Sequence, residues 1–190
     1  MNILYTHGFG SKFDANGDKV KELSIIGTVM GVDVDYAMGS QNVSDKAKEV
    51  IQHKHIDLIV GCSMGGWLAA KMGCLFGIPF VALNPCIKPS VILASVPSDG
   101  IYYTGEKYVL TPSVIASYDD IAVKNGCGLV LLDDGDEFLD SNETAEYLEN
   151  IYKVIRFSGG THRFSHMKES LKLITNFMDR FNADHGLVGE

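Results

Sequence analysis

Apolar and polar positions along the chain predict short strands that alternate with helices. Six short segments, mostly apolar or alternating between apolar and polar residues, are typical of strands, whereas longer segments repeat apolar residues every three or four positions, as helices do. Strands are predicted at residues 3–6, 32–36, 56–60, 80–83, 129–132 and 153–157. Helices are predicted at residues 18–30, 44–53, 64–76 and 142–151, with a long C-terminal helix that presents Phe164, Met167, Leu171, Ile174, Phe177 and Phe181 on one side.

This alternation predicts an α/β fold with a mainly parallel sheet and helices on both of its faces. The run at 56–60 is almost continuously apolar, as expected for a strand at the buried centre of such a sheet. Residues 1–190 are predicted to form one domain, because this length supports a single substantial core. Residues 85–125 break the pattern and are rich in proline and tyrosine. They are predicted to form a small cap-like excursion with one or two short helices.

Composition narrows the classes of protein that the chain can belong to. The formal net charge is -8 and no cluster of Lys or Arg is present, which argues against a nucleic-acid binder. The four cysteines form no CxxC pair, so we expect no zinc site and predict free, buried thiols. The N-terminus lacks the features of a signal peptide, and no apolar run approaches the roughly 20 residues that span a bilayer. A cytoplasmic protein without membrane contact is therefore expected.

The strand predicted at 56–60 leads into Gly61-Cys62-Ser63-Met64-Gly65, which fits the pattern G-x-S-x-G. In a sharp turn from strand to helix, the residues two positions before and after the serine approach closely, so both must be small. Such a turn exposes the serine hydroxyl at the carboxyl edge of the sheet. The pattern alone is weak, but a strand before it and a helix after it are the context that supports a nucleophile. Ser63 is the predicted nucleophile.

A serine nucleophile needs a base and an acid that orients the base, and later loops supply candidates for both. His162 follows a glycine pair after the last predicted strand and is the predicted base, with His166 as an alternative. Asp136 follows the strand at 129–132 and is the predicted acid, with Asp134 and Asp140 as alternatives. The order Ser, Asp, His matches that of α/β-hydrolases. Asp133 is expected to face solvent or to cap a turn.

The oxyanion hole is expected to combine two backbone N–H groups. Met64 follows the nucleophile at the start of a helix, and Phe9 lies in the His-Gly loop after the first strand. Residues predicted to bind the substrate are His7, Gly8, Tyr102 and Tyr103, although packing within the cap is an alternative role for the tyrosines. Trp67, in the helix after Ser63, is predicted to be a core residue.

Several segments together resemble the small bacterial YqiA/YcfP-type proteins, an esterase-like branch of the α/β-hydrolase superfamily. The similarity covers nearly the whole chain and includes "ILYTHGFGS", "GCSMGGWLA", "LNPCIKPS", "YTGEKYVLT", "GDEFLD" and "GGTHRF". The resemblance implies a compact α/β-hydrolase that lacks the first two strands of larger members and cleaves short acyl esters without metal or cofactor. It places the nucleophile at Ser63, the acid at Asp136 and the base at His162.

The function expected from the sequence is therefore that of a serine hydrolase acting on small carboxylic esters through an acyl-enzyme. Two alternatives stay open at this stage. One is a non-catalytic binding or scaffold protein that retains the fold, since fold alone does not establish chemistry. The other is a thioesterase or amidase, because the same triad serves those reactions. The sequence does not define the oligomeric state.

Overall fold

The computed structural model describes residues 1–102, 104–124 and 126–186. The strands are β1 (Asn2–Thr6), β2 (Thr28–Val32), β3 (Leu58–Cys62), β4 (Phe80–Leu83), β5 (Asp99–Ile101), β6 (Lys107–Val109), β7 (Gly128–Asp133) and β8 (Lys153–Phe157). The α-helices are α1 (Asp18–Leu23), α2 (Ser40–His53), α3 (Met64–Phe76), α4 (Pro89–Ser95), α5 (Pro112–Ala116), α6 (Ser141–Leu148) and α7 (Met167–Asp184). A 3₁₀ turn at Tyr36–Met38 precedes α2.

Among the described residues, six strands form a parallel sheet in the order β2-β1-β3-β4-β7-β8. The strands β3, β4 and β7 are buried along their whole length, which explains their nearly continuous apolar sequences. Because all six strands run the same way, their carboxyl ends meet at one edge of the sheet. The loops that follow β1, β3, β4, β7 and β8 are therefore brought together at that edge.

Helices cover both faces of the sheet, as the sequence predicts. On one face α1 and α7 bury Leu23, Ile174 and Met178 against the strands. On the other face α2, α3 and α6 contribute residues such as Trp67 and Leu148 to a second apolar cluster. Within the described residues, no helix combines the length and the hydropathy that crossing a membrane would require.

The prediction of one helix over residues 18–30 is wrong. The helix α1 ends at Leu23, and the chain turns so that Thr28 pairs with Asn2 as the start of the edge strand β2. Gly27 lies directly against the first strand, since a Cβ there would come 2.5 Å from the carbonyl oxygen of Met1. The strand predicted at 32–36 consequently lies at 28–32 instead, and Tyr36 belongs to the 3₁₀ turn.

Residues 84–127 leave the sheet between β4 and β7. They contain α4 and α5, in agreement with the one or two short helices predicted there. They also contain a two-stranded antiparallel hairpin, β5–β6, which the sequence pattern does not predict. Its strands have only three residues each, too few to show a recognisable alternation of apolar and polar positions. The role of residues 85–125 as a cap stays a prediction.

The four cysteines are free thiols, but they differ in exposure. Cys62 and Cys86 are buried, Cys74 is intermediate, and Cys127 is exposed, so the prediction that all four thiols are buried is wrong for Cys127. Burial raises the pKa of Cys62 to about 11 and that of Cys86 to about 12.

We expect these differences to appear in the reactivity of the native protein toward Ellman's reagent. At about pH 8 only about one Cys62 side chain in a thousand carries the reactive thiolate form, and burial also blocks access to it. Cys127 should therefore react first, and Cys127→Ser should remove the fast phase while all remaining thiols react after denaturation. A fast phase that survives in Cys127→Ser would contradict this assignment.

Candidate active site

Ser63 lies at the turn between β3 and α3 and has a backbone conformation that residues other than glycine rarely adopt. Its φ is 58° and its ψ is -122°, in a region where non-glycine residues are strained. The carbonyl oxygen of Ser63 accepts hydrogen bonds from the N–H groups of Gly66, Trp67 and Cys86, and its own N–H donates to Leu83. Bonds to α3 and to the segment after β4 thus hold the turn in place and leave the hydroxyl at the edge of the sheet.

The two glycines of the motif occupy positions without room for a side chain. A Cβ at Gly61 would lie 2.0 Å from the carbonyl oxygen of Gly65, and one at Gly65 would lie 2.0 Å from that of Thr6. The Thr6 hydroxyl also donates to the Gly65 carbonyl oxygen at 2.8 Å. The glycines therefore allow α3 to start directly against β1 and β3, as the sequence motif predicts.

The structure brings Ser63, His162 and Asp136 together in one chain of hydrogen bonds. The Oγ atom of Ser63 lies 3.0 Å from Nε2 of His162, although the two residues are 99 positions apart. The other ring nitrogen, Nδ1, lies 3.0 and 2.9 Å from the two carboxyl oxygens of Asp136. In this arrangement Nδ1 donates to the carboxylate, and Nε2 is free to accept the hydroxyl proton.

The Asp136 carboxyl is held in its ionised form by its neighbours. Its side chain is only 2% exposed, and this burial by itself raises the pKa. The hydrogen bond from His162 and the backbone N–H groups of Leu139 and Phe138 outweigh burial, so the pKa lies below the ordinary value. Both N–H groups donate to Oδ1 at 2.9 Å. Asp136 thus provides a fixed negative charge beside the imidazole.

The residues considered as alternatives for the acid and the base have other contacts. Asp134 forms an ion pair with Arg156 at 2.7 Å. Asp140 caps α6 by accepting hydrogen bonds from the N–H groups of Asn142 and Glu143. His166 lies at the start of α7 with its Nδ1 2.7 Å from a carboxyl oxygen of Asp133. These contacts leave Asp136 and His162 as the pair that reaches Ser63.

The loop after β1 lies over Ser63 and carries one of the predicted oxyanion donors. A Cβ at Gly8 would lie 3.3 Å from Cβ of Ser63, which shows how closely this loop approaches the nucleophile position. The aromatic ring of Phe9, the next residue, packs edge-on against Tyr102 and Tyr108 of the β5–β6 region. Met64 is the first residue of α3, where backbone N–H groups have no partner within the helix.

His7 is the residue from which this loop starts, and its predicted part in substrate binding stays a prediction. Its side chain is only 2% exposed. Nε2 accepts a hydrogen bond from the N–H of Val34, and Nδ1 lies 2.9 Å from the carbonyl oxygen of Gly8. The hydroxyl of Tyr36 donates to the carbonyl oxygen of His7. Because both ring nitrogens are engaged within the fold, His7 shapes the loop. The prediction that Gly8 contacts the substrate stays open.

The pH dependence of stability should reveal the neutral state of His7. Burial lowers its pKa below the ordinary 6.5, against the smaller opposing effects of Gly8 and Asp33. As the pH falls below about 6.5, the unfolded chain binds the proton first, so the folded state loses up to about 1.4 kcal/mol per pH unit.

We therefore expect the stability advantage of wild type over His7→Gln, measured by urea unfolding, to narrow from about pH 7.5 to about pH 5. The variant cannot take up this proton, and so it lacks this part of the acid-induced loss. An advantage that stays constant over this range would contradict a buried neutral imidazole.

The predictions for three further aromatic residues, Tyr102, Tyr103 and Trp67, have different outcomes. Tyr102 stacks on Tyr108, and its hydroxyl donates to the carboxyl of Asp35 at 2.7 Å. It lines a cleft of about 250 Å³ beside the loop after β1, together with Gly10 and other residues. Tyr103 lies outside the described residues. Trp67 is fully buried and its Nε1 donates to the carbonyl oxygen of Asp119, so its predicted core role is confirmed.

Two residues near the site were not identified from the sequence. Asp133, expected near solvent, is fully buried at the end of β7, and Asn84 is buried just after β4. Both contact the loop that carries His162. Their signal in the sequence is a polar side chain at the carboxyl end of a strand in a parallel sheet, where functional residues gather. Among the described residues, no group of three or more His, Cys, Asp or Glu side chains is arranged as a metal site.

The parallel sheet, with Ser63 at the turn after β3, defines an α/β-hydrolase fold. Comparison with solved structures supports this class. Est1E from Butyrivibrio proteoclasticus superposes with a TM-score of 0.68 at 18% identity, over 96% of this chain and 87% of that one. A monoacylglycerol lipase from Paleococcus ferrophilus gives a TM-score of 0.66 at 12% identity, over 94% of both chains.

The chain belongs to the family described as "Uncharacterised protein family (UPF0227)", whose model matches residues 2–179. A UPF0227 protein of Vibrio vulnificus is 30% identical over 188 residues, covering 93% of this chain and 98% of the relative. A UPF0227 protein of Pectobacterium carotovorum is 28% identical over 183 residues, covering 92% and 97%. The resemblance to the YqiA/YcfP-type proteins is thereby confirmed.

Proposed function

We propose that this protein is a serine hydrolase that cleaves small carboxylic esters through an acyl-enzyme. The observation that carries the proposal is the 3.0 Å approach of Ser63 Oγ to His162 Nε2, with Asp136 on the opposite ring nitrogen. A hydroxyl, an imidazole and a carboxylate in this order are the groups that acyl transfer requires. The structural likeness to a monoacylglycerol lipase also supports the reaction class.

In the first half of the reaction, the Ser63 hydroxyl gives its proton to His162 and attacks the ester carbonyl carbon. Asp136 holds the imidazole with Nδ1 protonated and stabilises the imidazolium that forms. The backbone N–H groups of Phe9 and Met64 bind the oxyanion, each contributing about 3 kcal/mol to the stability of the transition state. His162 then gives the proton to the departing alcohol. In the second half, His162 activates water, which releases the acid and restores Ser63.

The proposed substrate is a small carboxylic ester with a short acyl group. The resemblance to the YqiA/YcfP-type proteins supports this size, and the triad requires no cofactor or metal. We propose that the protein acts in the cytoplasm and needs neither nucleic acid nor membrane.

The acid provides a sharp test, because the chain offers a matched control. We expect Asp136→Asn to lower kcat for p-nitrophenyl acetate by about 10⁴-fold, since the amide favours the wrong imidazole tautomer. Asp140→Asn keeps a good helix cap and should stay within about twofold of wild type. Equal residual activity in the two variants would exclude Asp136 as the acid.

If a thioester or anilide with the same acyl group is cleaved faster than the oxygen ester, the ester preference is wrong.

A further inference from the structure

A second aspartate, Asp133, lies beside the triad without contacting Ser63 or the imidazole of His162. It is the last residue of β7, and its side chain is fully buried. Its Oδ2 atom accepts hydrogen bonds from the backbone N–H groups of Thr161 at 3.1 Å and Ser165 at 2.6 Å. Its Oδ1 atom lies 2.7 Å from Nδ1 of His166. All of these partners belong to the loop that carries His162 or to the residue that follows that loop.

Asn84 holds the same loop through its carbonyl groups. Its side-chain nitrogen donates to the carbonyl oxygens of Thr161 at 2.9 Å and His162 at 3.2 Å. Its side-chain oxygen accepts the backbone N–H of Asp133 at 2.8 Å, which ties the two buried side chains together. Asn84 follows β4, and Asp133 ends the neighbouring strand β7. Together their side chains hydrogen-bond to both N–H and C=O groups of the backbone around His162.

The loop would not adopt this conformation from its local sequence alone. Gly159, Gly160 and Phe164 all have positive φ angles, and for Phe164 this conformation is disfavoured. Gly160 is packed so closely that a Cβ there would lie 2.0 Å from Oδ2 of Asp133. A buried carboxyl group is unfavourable unless hydrogen bonds satisfy it, and here the loop supplies all the partners named above. The contacts thus fix one backbone path on both sides of His162.

We infer that Asp133 and Asn84 are positioning residues that hold the His162 backbone so that its imidazole lies between Ser63 and Asp136. The inference rests on the proposed function for its kinetic consequence. Asp136 orients the imidazole itself, whereas Asp133 and Asn84 act through the backbone of the loop. A displacement of about 1 Å at a reacting group lowers a rate by about 100-fold, which sets the size of the expected effect.

The kinetic test compares two substitutions that remove a hydrogen-bonding side chain with one conservative substitution. Asp133→Ala and Asn84→Gly should each lower kcat for p-nitrophenyl acetate by about 100-fold and change KM less than about twofold, because they disturb the base and leave binding intact. Glycine accepts the positive φ of 40° at position 84. Asp133→Asn should recover most of the rate, since its amide oxygen can accept the two N–H groups while its NH₂ faces His166. Asp134→Ala, on the exposed neighbour, should resemble wild type.

An NMR measurement tests the positioning of His162 without an assay of ester hydrolysis. In protein labelled with nitrogen-15 histidine, the proton on Nδ1 of His162 should give an NMR signal protected by Asp136, identified by its absence in His162→Gln. We expect this signal to disappear in Asn84→Gly, which leaves the contact between Asp133 and His166 in place, while circular dichroism shows a folded protein. An unchanged signal in Asn84→Gly, or a normal kcat in both Asp133→Ala and Asn84→Gly, would overturn the inference. If Ser63→Ala hydrolyses the ester as fast as wild type, the proposed function fails, and the NMR signal still decides the positioning role.

Discussion

Replacing Ser63 with alanine is expected to lower kcat/KM for p-nitrophenyl butyrate by about 10⁴- to 10⁶-fold. Loss of the nucleophile removes the covalent route, and the oxyanion donors alone give only a small residual rate over water. The variant should remain folded, because the hydrogen bonds that hold position 63 come from its backbone. The two values of kcat/KM are compared from initial rates of wild type and Ser63→Ala, both purified free of other esterases.

The matched control for this experiment is Ser95→Ala. Its hydroxyl is exposed and donates to the carbonyl oxygen of Ile92 in the same helix, α4. Ser95 is not part of the triad. It should hydrolyse the ester within about twofold of wild type, as expected for a surface substitution. Comparable hydrolysis by wild type and Ser63→Ala would remove the basis for a serine mechanism and favour a binding or scaffold role for the fold.

Replacing Gly65 with alanine is expected to destabilise the protein by more than about 3 kcal/mol, a large part of the total stability of an ordinary domain. Helix propensity alone predicts the opposite sign, since alanine in a helix is better than glycine by about 1 kcal/mol. Packing decides the outcome, because the new Cβ would lie 2.0 Å from the Thr6 carbonyl oxygen and 2.7 Å from that of His7. Both contacts are with backbone, which cannot move without shifting β1 and the loop that follows it.

Gly77→Ala separates the effect of packing from that of a glycine substitution in general. Gly77 follows α3 with a φ of +68°, and nothing lies within 4 Å of a Cβ built there. The loss should be about 1 to 2 kcal/mol, which reflects the left-handed backbone alone. Urea unfolding of the two variants gives both values. If Gly65→Ala is as stable as wild type, the close approach of α3 to the first strand is wrong.

Where the sequence signal was local, the predictions agree closely with the structure. The bounds predicted for α3, β4 and β8 are those observed. Of these, α3 and β4 are distinct apolar runs with clear ends. Gly61 and Gly65 predict the turn around Ser63, because the close approach of the backbone there leaves no room for a Cβ at either position. The loops with Asp136 and His162 were found from the order of strands, which places successive loops at one edge.

Features that depend on distant contacts could not be derived in this way. Ile26 and Val29 continue the helical spacing of α1, yet pairing with β1 converts this stretch into a turn and an edge strand. Asp133 resembled an exposed residue next to three other acidic residues, because its hydrogen-bond partners lie about thirty positions later in the chain. The positions of His7 and Asn84 likewise depend on partners from other strands.

Covalent labelling with a fluorophosphonate probe, followed by peptide mapping, tests the central claim most directly. A fluorophosphonate reacts with a serine that a neighbouring base has activated, and it requires no knowledge of the natural substrate. We predict one modified residue, Ser63, with labelling lost in Ser63→Ala and strongly slowed in His162→Gln. Modification of a different residue, or equal labelling of wild type and Ser63→Ala, would contradict the assignment of Ser63 as the nucleophile.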